Sequence, residues 1–204
     1  MISLFRKPVL HVALFAALGV AIPAAAHHRP SGAPIEGVAI PSIGHGEMPV
    51  YEKYRTAILD LAARQPATDP TLRRLAGFVS LQHFACFRGL LPGTLSDDSP
   101  FNECAHAYLA GTRALLDHMT KMPGDQTAAR AVQWRIDEEL ASDPTLGAIC
   151  SNSLQVFDSA VIVPPDWAQV PAHRPTLLTL AAFALFIGAT AAFVLLRVAR
   201  SKQK

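Results

Sequence analysis

Apolar residues follow three different rhythms along this chain, and each rhythm predicts a different kind of element. Val9 to Ile22 is a mostly apolar run interrupted only by His11. From Val50 onward, apolar positions recur every three to four residues. Tyr51, Tyr54, Ile58, Leu61 and Ala62 line one face, and Leu72, Leu75, Val79, Gln82 and Cys86 line another, the period of amphipathic helices. Leu177 to Leu196 is a stretch of twenty residues without a charge.

Caps divide the middle rhythm into helices. Asp69 offers a side-chain acceptor at a helix start, and Pro70 occupies the first turn, where its missing N–H costs nothing. Ser99, Pro100 and Glu103 predict the next start, for a helix that stops before Pro123. A fourth helix is expected over roughly Asp125 to Ala141, and a fifth from Asp143-Pro144 to near Asp158. Alternating β-branched residues and two-residue hairpin turns are scarce, so no sheet is expected. The pattern predicts an all-α protein: a small exported helical bundle of four to five helices, plus one C-terminal transmembrane helix.

The ends set the expected address. Arg6 and Lys7, the apolar run after them and the small residues Ala24 to Ala26 have the order of a secretory signal peptide over residues 1–26. An uncleaved anchor would export the same domain. Residues 27–49 hold four prolines and four glycines and read as an extended arm. Residues 50–160 are then a periplasmic helical domain, and residues 161–176, with four further prolines, a stiff linker. The span at 177–196 matches the ~30 Å thickness of a bilayer's hydrocarbon core at ~1.5 Å per residue. The tail at 197–204 carries Arg197, Arg200, Lys202 and Lys204, which places it on the cytoplasmic side. The expectation is a single-pass protein of a bacterial inner membrane, its main domain in the periplasm.

Charge changes meaning once these ends are set apart. The chain has 18 Lys and Arg against 16 Asp and Glu. Without Arg6, Lys7 and the four tail cations, the exported part has twelve cations against the same 16 acids, a net charge of −4. Such a surface does not neutralise phosphates, so nucleic acid is excluded as a partner.

Candidate chemistry is sparse. Cys86 and Cys104 flank a helix-to-helix turn at similar distances from it, so they are expected to form a disulfide in an oxidising compartment. Cys104–Cys150 is the competing pairing. His83 and Cys86, with Cys104 and His106, form a weak metal pattern, because Cys104 and His106 lie two apart on different sides of one helix. A sharper metal expectation comes from the arm. Cleavage after Ala26 would leave His27 and His28 at a new N-terminus, with His45 and Met48 downstream, a nitrogen-rich set suited to copper. Cys150 and His83 are lesser additions to it. No serine-nucleophile elbow, H-E-x-x-H zinc motif or phosphate loop is present. Asp97 and Asp98, adjacent in a turn, read as solvated caps. Trp134 stands among charged residues, and Trp167 falls where a lipid interface is expected. The leading expectation is an accessory or assembly protein working through contacts with a larger membrane or periplasmic complex. The alternative is a periplasmic copper-binding protein.

Overall fold

The computed structural model describes residues 37–66, 68–87, 93–123, 126–142 and 155–201. The expected signal peptide, His27, His28, Cys150, the start of the expected fifth helix at 143 and the last three tail residues lie outside them. Among the described residues there are five helices and two short strands. In chain order these are β1 (Ala39–Pro41), α1 (Glu47–Ala63), α2 (Pro70–Ala85), α3 (Asn102–Met119), α4 (Thr127–Ser142), β2 (Val156–Asp158) and α5 (Arg174–Ser201). The all-α architecture expected from the sequence is the one observed.

The caps act largely as the sequence predicts. Asp69 Oδ1 accepts the Leu72 N–H at 2.7 Å and Pro70 opens α2. The other oxygen, Oδ2, meets His118 Nε2 in the last turn of α3 at 2.8 Å, so one carboxylate joins the start of one helix to the end of the next. These contacts, led by the Leu72 N–H, hold Asp69 below the usual carboxylate range. α3 begins later than expected, at Asn102. Ser99 serves the turn before it, its hydroxyl accepting the Phe101 N–H at 3.2 Å.

α3 is the centre of the bundle. It forms a hairpin with α2 and also contacts α1, α4 and β1. Every residue from Cys104 to Thr112 is buried. Its small residues allow close approach. A Cβ on Gly111 would lie 2.8 Å from the Phe78 ring and 3.1 Å from Val79 Cγ2, so α2 crosses α3 at a spot that only glycine fits. The apolar faces read from the sequence are the packed ones: Tyr51 and Ile58 of α1, and Leu72, Leu75, Val79 and Gln82 of α2, are buried.

Two expectations are corrected in this part of the chain. The arm does not stay extended up to residue 49. Ile40, Ile43 and Met48 are fully buried in the core, and α1 begins at Glu47. The expected fifth helix does not run to Asp158, because Val156–Asp158 pairs antiparallel with Ala39–Pro41. Ile40 lies opposite Phe157, and both side chains are buried on one face of the ribbon. The ribbon packs on α3, where His106 Nε2–H donates to the Ile43 carbonyl at 2.6 Å. Apolar burial of two facing side chains outweighs the absence of a longer strand pattern here.

Candidate functional site

The helix-to-helix junction between α2 and α3 organises the end of the domain from which α5 leaves. Cys86 and Cys104 form a disulfide there, their Cα atoms 5.6 Å apart, the first of the two pairings that the sequence left open. Both sulfurs are buried.

Beside the disulfide sits Gln82, a polar side chain with no exposed surface. Its amide is used on both ends. Oε1 accepts the Val163 N–H at 3.0 Å, while Nε2 donates to the Val163 carbonyl at 2.7 Å and to the Cys104 carbonyl at 3.2 Å. Nε2 also lies 3.2 Å from each disulfide sulfur. One side chain thus grips a backbone unit as a neighbouring strand would, and buried polar groups satisfied in this way fix a segment's position. That segment is the proline-rich stretch expected to be a stiff linker. It is instead a strap: Asp166 N–H donates to the Pro100 carbonyl at 2.8 Å, and Pro165 and Val170 are buried.

Three aromatic rings extend the junction outward. Trp167 lies 5.7 Å from Phe87 and 5.8 Å from Phe101, and Phe87 lies 6.4 Å from Phe101. All three pairs are edge-to-face, the arrangement that ring quadrupoles favour. Phe101 and Val170 form a small buried cluster, and Leu180, on α5, packs against it. Phe87 holds φ of 50°, the left-handed region, just past the end of α2. A non-glycine residue adopts that conformation at a cost of roughly 1–2 kcal/mol, which the ring contacts offset.

The adjacent aspartates read as solvated caps face two histidines from distant parts of the chain. Asp97 Oδ1 is 3.1 Å from Nδ1 of His45, just before α1, and Asp98 Oδ2 is 3.9 Å from Nε2 of His173, just before α5. The Ser96 hydroxyl, first, then the backbone N–H of Asp98 and His173, hold the Asp98 carboxyl below its usual range. A polar cleft of about 180 Å³ opens next to this turn, lined by Asp97, Ser99, Asn102, Glu103, Asp166 and Gln169 among others.

The expected metal residues are spread apart in function. His45 faces Asp97, and Met48 is wholly inside the core, where its thioether packs as an apolar group. His106 is likewise buried, and desolvation lowers its pKa against the opposing hydrogen bond to Ile43. Among the described residues, no group of three or more His, Cys, Asp or Glu is placed to hold a metal ion.

α5 has 28 residues, and its 18-residue core window has a mean hydropathy of 2.3 with none of that window buried. It is long and apolar enough to cross a membrane. His173 and Thr176 share a 2.7 Å hydrogen bond at its start, and Thr176 is buried against the domain.

Sequence reasoning placed the cysteines but missed the grip on the strap. The available signal was Gln82 itself, a polar residue in the apolar stripe between Val79 and Cys86. Compared with known proteins, the chain matches no family model, no curated sequence and no solved structure.

Proposed function

We propose that this chain is a membrane-anchored accessory protein. α5 crosses a bacterial inner membrane with the C-terminal tail in the cytoplasm, and the helical domain works in the periplasm through contacts with a larger membrane or periplasmic complex. The observation that carries this reading is the Gln82–Val163 grip, which fixes the domain to the segment leading into α5. A domain fixed so close to an apolar helix is suited to meeting partners at one height above a bilayer. The Cys86–Cys104 disulfide fits an oxidising compartment, and Arg197, Arg200, Lys202 and Lys204 after the span favour a cytoplasmic tail.

Two measurements test it. A reporter fused after Lys204 is expected to be active in the cytoplasm, and periplasmic activity overturns the orientation. Affinity capture of the full chain from native membranes in mild detergent is expected to retain a stoichiometric envelope protein, and to lose it from the Cys86→Ala/Cys104→Ala variant. Capture of the intact chain alone overturns the accessory role.

A further inference from the structure

Several apolar side chains on the last turns of α2 and on the strap stay exposed. Phe84 on the last turn of α2 is 76% exposed, Leu81 one turn earlier is 60%, Trp167 is 50% and Phe87 is 42%. Phe87 and Trp167 touch, and Leu81 and Phe84 lie on the last two turns of the helix that leads to Phe87; exposed apolar residues gathered in this way mark a contact with something other than water. Phe87 also keeps a left-handed backbone that holds its ring beside Trp167.

What covers this surface follows from its continuity with α5. Leu180 lies three residues into the uncharged run that starts at Leu177, about 5 Å along the helix axis. That residue packs on Phe101 and Val170, and Phe101 meets the rings of both Phe87 and Trp167. If the run from Leu177 is in hydrocarbon, the rings touching the Phe101–Val170 cluster lie at the level where acyl chains begin. Tryptophan favours that level because its ring is apolar and its indole N–H polar.

We propose that Phe84, Phe87 and Trp167, flanked by Leu81, form a lipid-contacting collar that rests in the headgroup–acyl boundary of the membrane crossed by α5. This rests on α5 being a span. The collar takes the zwitterionic face of a phospholipid rather than an anionic one, because Asp97, Asp98 and Asp166 stand at the same end of the domain. Arg174, exposed where α5 begins, supplies a cation within reach of lipid phosphate.

The two tryptophans provide the test. Trp134→Phe removes an exposed ring on α4 and leaves Trp167 as the only indole, while Trp167→Phe leaves Trp134. Each full-length variant is reconstituted into phosphatidylcholine vesicles, plain or brominated near the top of the acyl chains. Carbonate extraction of the same vesicles reports separately whether α5 is integrated. The expected result is carbonate-resistant protein in which Trp167 emission is blue-shifted and falls roughly twofold with brominated lipid, while Trp134 emission hardly changes. Integrated protein with unquenched Trp167 overturns the collar and leaves the span standing; a protein partner then covers these rings. Equal quenching of both tryptophans overturns the assignment of this end of the domain to lipid. Protein released by carbonate overturns the span and the collar together.

Discussion

α3 and α4 have nearly the same length, 18 and 16 residues, yet the fold uses them in opposite ways. α3 is buried on almost every side, whereas only Ala129 and Ile136 of α4 are fully covered. α3 is joined to its surroundings by a disulfide, by His106 and by a close crossing at Gly111. α4 reaches α1 through Glu139, which accepts from Lys53 at 2.7 Å and from Tyr54 at 3.1 Å at the surface. Exposed ion pairs of that kind contribute little, because water and salt screen them. The contrast teaches that cohesion is concentrated in the α2–α3 hairpin and its strap, while α4 is an outer layer that opens first.

The largest test of this contrast removes the crosslink. The cysteines are 18 positions apart, and closing a loop of that size stabilises by about 3 kcal/mol in the chain-entropy model. The Cys86→Ala/Cys104→Ala variant is expected to lose about that much in denaturant unfolding. Hydrogen exchange should then rise most in α2 and α3, with α4 already the fastest-exchanging helix. A variant as stable as the parent would remove the hairpin from its central place.

A smaller loss is expected from Gln82→Ala. The Val163 N–H and carbonyl would lose their partners in a partly buried setting, at about 1 kcal/mol each or less. The diagnostic readout is local: exchange of the Val163 amide and proteolysis of the strap should increase more than global stability falls. Unchanged protection of Val163 would mean that the strap is held by Pro165, Val170 and Trp167 alone.

The smallest effect is a pH dependence centred on α3. Burial lowers the His106 pKa from its usual 6.5, so the unfolded chain takes up a proton that the folded chain resists. Its contribution is complete above about pH 6.5 and is lost as the pH falls below that value. His45, Asp97 and Glu47 are the charged groups acting on it. His106→Gln should flatten the stability profile between neutral and mildly acidic pH, and a slope unchanged from the parent would assign the effect to another group. Asp69, Asp98 and Glu139, whose pKa values are lowered, lose their contributions only at more acidic pH, so the two windows separate.

How far the sequence could be read depended on the range of the interaction involved. Asp69-Pro70 announced α2 because a cap is made within three residues, and the amphipathic stripe of α4 gave its limits to within two residues. The disulfide was readable because both cysteines belong to one hairpin. α3 was legible as a helix but not as the central one, since its place depends on the four elements that pack around it, which a local pattern does not show. The ribbon of β1 and β2 was invisible: its strands have three residues each and are 117 positions apart at the Ile40–Phe157 pair. The strap was misread because prolines signal stiffness and turns, and nothing in residues 161–176 signals the glutamine that holds them. Asp97 and Asp98 are solvated as the sequence suggested, and only their histidine neighbours, which come from distant parts of the chain, went unread.

The amide of Gln82 has one more consequence. With Val163 gripped and Val170 seated against Phe101, little slack is left to absorb rotation of the bundle before α5 begins. A sideways push on the outer helices would therefore reach α5 as torque, making the domain a short lever rather than a weight on a string.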